Sequence, residues 1–397
     1  MSVMKILYAA SEAAPFIATG GLGEVAGSLP KALAEKYKNK IDIRVILPLY
    51  QGIYNRSDFE FIGKTSVPLA WRQQYCGVFK KKVNDVTYYF IDNEYYFNRS
   101  DCYGYFDDGE RFAFFSKSIL YILNMIDFMP DIIHTNDWQT SLVPIYLKTK
   151  YSSYPGYNSI KSIITIHNIE YQGVYDLNIA EDVFDLHGKE KSIIEYNGSI
   201  NLLKGALETS DIISTVSESY SNEILDDYYA HGLAPIIRKN SFKLRGILNG
   251  IDTDFYNPEN DDALFENYSK NNLKNKSVNK LNLQLMAGLP QDENIPVIGI
   301  ISRLVKHKGF DLVIHGIEDV LKEKVQFIIL GKGDHGYELY FKSLQDSYHE
   351  KVAARIDFNS DLARKIYAGS DFLLMPSISE PCGIAQMIAS RYGTVPI

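Results

Sequence analysis

Several charged and glycine-rich stretches stand where apolar runs end, and their residue types suit an anionic, polyhydroxylated ligand. Ala18-Thr19-Gly20-Gly21-Leu22-Gly23-Glu24 follows the first apolar run. Adjacent glycines let a backbone come close to a phosphate, and a helix starting there aims free N–H groups at it; a plain loop needing positive φ would read the same way. Arg303-Leu304-Val305-Lys306-His307-Lys308-Gly309 gathers three or four positive charges ahead of a helix. The helix dipole disfavours cations at that end, so unless a nearby acid compensates, the cluster calls for an anion such as a pyrophosphate. Glu380-Pro381-Cys382-Gly383 joins an apolar run to the last helical segment. Pro381 and Gly383 fit a first turn that would turn the N–H groups of Cys382 and Gly383 outward beside the Glu380 carboxylate.

Two further candidates sit at strand ends. Asp137, in His134-Thr135-Asn136-Asp137-Trp138, is placed to accept from a sugar hydroxyl, although position alone favours a helix cap. His167, in Thr165-Ile166-His167-Asn168-Ile169-Glu170, ends the next apolar run, where a histidine can serve the ligand or the fold. No HExxH occurs and no third ligand accompanies His134 and His167, so a metal site has weak support. Asp252-Thr253-Asp254 has the DxD form of metal-dependent sugar transferases, but its loop setting reads better as turn chemistry. Gly21-Leu22-Gly23-Glu24-Val25-Ala26 matches the dinucleotide GxGxxA. It begins about ten residues after its strand rather than at once, and the second strand ends in Leu47-Pro48 with no acid for a ribose.

The elements that must hold these residues alternate. Short β-rich runs are expected at 6–10, 42–48, 131–135, 160–166 and 211–216, with helices at 22–36, 110–125, 140–148 and 200–208, which is the βαβ pattern of a parallel sheet. Residues 75–91 read instead as an antiparallel hairpin insertion turning at 82–86. The second half repeats the plan with strands at 297–302, 325–331, 355–358 and 371–376. Residues 257–279 between the halves are rich in Asn, Asp and Lys, and the boundary is placed near residue 245. Two doubly wound sheets would bind ligand at their strands' carboxyl ends, in a cleft between them. The final strand opens at 393–397 without room to finish, which predicts a truncated chain.

Composition narrows the function classes. The 397 residues carry 41 Lys plus Arg against 49 Asp plus Glu, a net charge of -8, which argues against a nucleic-acid partner held by bulk electrostatics. No apolar run reaches the roughly 18–20 residues that span a bilayer, so no membrane partner is expected. The apolar N-terminal stretch is too short for a signal peptide. Three scattered cysteines, Cys76, Cys102 and Cys382, fit a reducing cytoplasm.

Taken in order, Ser11-Glu12-Ala13-Ala14-Pro15-Phe16 with Thr19-Gly20-Gly21-Leu22, then Ile166 to Gly173, Asn249-Gly250-Ile251-Asp252, Ser302-Arg303-Leu304 with Lys308-Gly309, and Glu380 to Gly383 resemble the bacterial glycogen synthases. The resemblance covers almost the whole chain. It implies the GT-B fold class, α/β with two Rossmann-like domains facing across a cleft: a starch synthase catalytic domain at 1–245 and a nucleotide-sugar-binding domain at 246–397, the second incomplete. It also implies a retaining transferase that moves glucose from ADP-glucose to the non-reducing end of an α-1,4-glucan, with no metal or other cofactor.

By the same resemblance Asp137, His167, Arg303, Lys308 and Glu380 do the catalytic work. Thr19, Gly20, Gly21, Glu24, Asn249, Gly331, Phe358, Cys382 and Gly383 bind the donor, with Phe358 over the adenine. Two departures stand out: Ala18 occupies the place of the family's lysine, and Glu24 that of its aspartate. The rivals are a UDP-glucose enzyme of the same fold, a catalytically impaired nucleotide or glucan binder, and a dehydrogenase. The sequence gives no oligomeric state.

Overall fold

The computed structural model describes residues 3–53 and 56–397. It divides into two compact units, Met1–Asn249 and Gly250–Ile397, against the expected border near residue 245.

The first unit is built on a nine-stranded sheet. Its strands are Met4–Ala9 (β1), Ile41–Pro48 (β2), Glu60–Leu69 (β3), Arg72–Val83 (β4), Val86–Asp92 (β5), Ile132–Asn136 (β6) and Lys161–Ile166 (β7). Val174–Asp176 (β8), Glu195–Tyr196 (β9) and Ser199–Asn201 (β10) form a separate three-stranded sheet; Ile212–Thr215 (β11) and Leu244–Gly246 (β12) complete the large one. The order is β12-β11-β7-β6-β1-β2-β5-β4-β3, parallel from β12 through β5. Leu7, Ala9, Val45, Ile46, Ile133 and Ile164 are fully buried, which explains why these runs read as near-continuous apolar strands. β1 lies at the centre with β6 beside it, so their carboxyl ends deliver residues 10–13 and 136–137 side by side.

The expected hairpin is present, with Asn84 at φ 52 in the two-residue turn between β4 and β5. It is more than an insertion, because β5 also pairs in parallel with β2 and extends the main sheet. β3 was not expected. It carries Gly63 at a register shift and Pro68, both tolerated because β3 is the sheet's edge.

The second unit holds Val297–Ile301 (β13), Gln326–Leu330 (β14), Val352–Arg355 (β15), Phe372–Leu373 (β16) and Val395–Pro396 (β17), all parallel in the order β15-β14-β13-β16-β17. The strand expected at 355–358 lies three residues earlier, because Val352, Ala353 and Ala354 are the buried residues and Phe358 projects to solvent. The polar stretch 257–279 folds rather than links. Asp261 is buried against Arg364, and the fully buried Asn279, on the helix Lys274–Ala287, bonds the main chain of residues 265 and 266. Hydrogen bonding replaces apolar burial there, so hydropathy misses it.

Candidate active site

In the first unit the site grows from the carboxyl ends of β1, β6 and β7. Asp137 follows β6 at φ 53, a left-handed conformation that swings its side chain away from the short helix it precedes. It therefore makes no cap, contrary to the reading from position alone. Its Oδ1 accepts from the main-chain N–H of His167 at 2.7 Å, and the N–H of Asn168 also bonds the carboxylate. Burial pushes the Asp137 pKa up to about 7; these two N–H groups oppose the shift and the negative charge of Glu12 adds to it.

His167 continues from β7. Its Nε2 lies 2.9 Å from Asn136 Oδ1. Burial, with a smaller contribution from His134, holds its pKa down to about 3, so the imidazole is neutral at physiological pH. Burial likewise pulls His134 down to about 4, and its Nε2 pairs with Thr165 Oγ1 at 2.6 Å rather than with any metal-type ligand set.

The glycine-rich segment lies at the start of the helix Gly21–Lys36. Residues 10–20 separate it from β1, too many for the dinucleotide fingerprint. Its glycines divide by role. A Cβ on Gly23 would fall 2.6 Å from the Ala18 Cβ and one on Gly27 2.5 Å from the Ala14 carbonyl oxygen, so both are set by packing. Gly20 differs: its φ of -174 suits any residue, and no heavy atom lies within 4 Å of the Cβ position. Thr19, Gly20 and Gly21 are exposed and Glu24 is half-buried. The Thr19 N–H donates to Glu12 Oε2. Glu12, only 3% exposed, thus anchors the loop, a role that sequence reasoning missed; a carboxylate quoted inside an apolar motif was the available signal. Asn249 closes the unit, its N–H donating to Val216 O at 3.2 Å.

In the second unit two loops meet at the ends of β13 and β16. Lys308 Nζ stands 2.6 Å from Glu380 Oε2, which also accepts from Ser377 Oγ at 3.0 Å. The Ile378 N–H donates to His307 O, and a Cβ on Gly309, at φ 75, would come 1.9 Å from Pro376 O. The acid that could compensate the basic cluster is therefore present, and Lys308 needs no external anion to be neutralised.

Arg303 is exposed on the same loop, whose neighbours Ser302 and Leu304 bond to Leu330 O and Lys332 O. Gly331 is required there, because a Cβ would sit 2.0 Å from Ser302 O. Gly383 corrects another expectation. It is the left-handed residue before the helix Ile384–Arg391, so Pro381 and Gly383 precede the first turn rather than occupy it. Cys382 is half-buried beside it. Phe358 is 70% exposed in the loop after β15, a ring offered to solvent. Asp252 Oδ1 accepts from the N–H groups of Asp254 and Phe255, the turn chemistry expected of that DxD.

Comparison with known proteins decides the family. The family model described as the starch synthase catalytic domain matches residues 5–239, and that of the group 1 glycosyl transferases matches 284–397. The chain belongs to the glycogen and starch synthase family. It is 50% identical to a glycogen synthase of Clostridium acetobutylicum and 47% identical to one of Alkaliphilus metalliredigens, each alignment spanning 99% of this chain and 83% of the relative.

The catalytic domain of starch synthase IV from Arabidopsis thaliana, solved bound to ADP and acarbose, is 32% identical with a TM-score of 0.93, covering 100% of this chain and 82% of that one. The expected GT-B class of paired Rossmann-like domains is thereby shown, and the chain is a glycosyltransferase of this family. Among the described residues no helix is long and apolar enough to cross a membrane.

Proposed function

We propose that this protein transfers glucose, with retention, from ADP-glucose to the non-reducing end of an α-1,4-glucan, in the cytoplasm and without a metal. The observation that carries the reading is the likeness, over the whole chain, to a synthase domain solved with ADP and acarbose. Breaking the bond between glucose C1 and the diphosphate oxygen puts negative charge on the departing phosphate. Arg303 and Lys308 are cations suited to stabilise it, more strongly in the transition state than in the ground state. Gly20 leaves backbone room for the phosphates, next to the exposed Gly21, and Phe358 offers its ring to the adenine.

Glu380, Cys382, Gly383, Asn249 and Gly331 belong to the donor side of this scheme, with Thr19 and Glu24. Asp137 and the main chain at His167 face the glucose. In this scheme the phosphate oxygen itself takes the acceptor's proton on the face it leaves.

The test is incorporation of labelled glucose into glycogen from ADP-glucose and from UDP-glucose, in parallel. Turnover with ADP-glucose well above UDP-glucose supports the proposal, and the reverse overturns its donor. One observation favours a binding-only protein: Ala18 replaces a cation of the family's donor loop. Calorimetric binding of ADP without any incorporation would establish that second reading.

A further inference from the structure

Asn136, the last residue of β6, is fully buried and its amide is engaged at both ends. Nδ2 donates to Ala9 O at 2.9 Å. A main-chain carbonyl can only accept, so this contact fixes which end of the amide is nitrogen. The other end, Oδ1, accepts from the Tyr8 hydroxyl at 2.9 Å and faces His167 Nε2 at 2.9 Å. An oxygen cannot donate; the histidine nitrogen opposite must therefore carry the proton. Inverting the amide would set oxygen against oxygen at Ala9 and N–H against Nε2.

We propose that Asn136, itself oriented by Tyr8 and by the Ala9 carbonyl, is a positioning residue that locks His167 in the Nε2–H tautomer and leaves the Nδ1 lone pair to accept from a sugar hydroxyl. The substrate half of this proposal rests on the function proposed above; the tautomer half does not.

Three features of the surroundings support it. Consecutive residues grip one histidine at two atoms, Asp137 at its main-chain N–H and Asn136 at its ring, so ring and backbone are set together. Tyr8 is 1% exposed, its ring centroid 4.7 Å from that of His134, which keeps the hydroxyl aimed at Asn136. His134 is committed elsewhere, to Thr165 Oγ1, which in turn meets Ser214 Oγ at 2.6 Å, so it does not compete for the amide. Because burial keeps His167 neutral, the choice between tautomers is the protonation choice left to it near neutral pH.

The experiment is a long-range ¹⁵N–¹H correlation spectrum of the full chain labelled at its 8 histidines, with His167→Gln to assign the signal. The expected result is a single tautomer with the proton on Nε2 in the wild type and a tautomer mixture in Asn136→Ala. With saturating ADP-glucose, Asn136→Ala should lower kcat by about 10- to 100-fold, as a misplaced reacting group does, with KM changed far less. Tyr8→Phe keeps the Ala9 contact, so it should retain the tautomer and lose less turnover.

A wild-type spectrum with the proton on Nδ1 overturns the proposal, and so does an Asn136→Ala protein that keeps both Nε2–H and its turnover. The wild-type spectrum, assigned with His167→Gln, does not depend on Asn136→Ala, so poor folding of Asn136→Ala leaves it decisive. A chain that shows Nε2–H yet transfers no glucose would sink the proposed function and spare the tautomer assignment.

Discussion

The Lys308 ammonium rests 2.6 Å from the Glu380 carboxylate, joining the loop after β13 to the loop after β16. Both side chains are less than a third exposed, at 18% and 29%, so solvent screens the pair only in part. Glu380→Gln should cost about 1–2 kcal/mol of stability, below the cost of breaking a fully buried pair. It should also loosen Lys308, so glucose transfer falls along with the urea midpoint. A variant that loses activity at unchanged stability would show that Glu380 acts only on substrate.

Arg303 makes a cleaner probe of charge stabilisation, because it is exposed on its loop. By analogy with loss of one oxyanion donor, Arg303→Ala should lower kcat by about 10²–10³-fold. Folding stability should fall far less than on breaking a buried ion pair, because the side chain is exposed. Steady-state turnover on glycogen checks the first, and a denaturant titration the second; unchanged kcat removes Arg303 from the reaction.

Asp137 gives a pH prediction. Its carboxylate holds the N–H groups of His167 and Asn168 in the ionised form, and burial raises its pKa to about 7. The acid limb of kcat/KM should therefore centre near pH 7 and disappear in Asp137→Asn. For stability the sign is the reverse of the usual carboxylate. The native pKa lies above the unfolded value of about 3.9, so the native state binds the extra proton between them. The group's contribution is complete below about pH 4, declines as the pH rises to about 7 and is flat beyond. Urea midpoints of wild type and Asp137→Asn compared at pH 5 and pH 8 test this.

These predictions rest on features of unequal legibility in the sequence. β1, β2, β6 and β7 are readable because both faces of a parallel sheet are covered and each strand is a short apolar run. β15 is misread because Ala353 and Ala354 carry little hydropathy while Phe358, an exposed ring, carries much. Asn279 and Asp261 are buried through hydrogen bonds and an ion pair, which no hydrophobic period encodes. At the site, residue types at strand ends mark Asp137 and His167, but the partner of each depends on register across β6 and β7, where Asn136 lies opposite Thr165. The contacts among Tyr8, Asn136 and His167 lie 31 residues or more apart in the chain and become visible only once that register is set.

Metal dependence separates the proposed chemistry from the DxD alternative. Asp252 already spends Oδ1 on two main-chain N–H groups, and the proposed transfer relies on side-chain cations instead of a metal. EDTA should leave glucose incorporation unchanged. Inhibition that Mn²⁺ reverses would reinstate a metal at residues 252–254.

Glycine substitutions separate packing from ligand space. At Gly309 both conformation and neighbours forbid a side chain, since φ is 75 and a Cβ would stand 1.9 Å from Pro376 O. Gly309→Ala should cost more than about 1 kcal/mol, the usual floor where alanine is forced to positive φ. Gly20 has neither restriction: its backbone is extended and its Cβ position is open. Gly20→Ala should therefore fold with stability within about 0.5 kcal/mol of wild type. A methyl group there would intrude only on something that binds. If donor phosphates lie against this loop, Gly20→Ala raises the Kd for ADP, measured by calorimetry, while the denaturation curve stays in place. An ADP affinity equal to wild type would move the phosphates away from Gly20, and with them the reason for a glycine at that position.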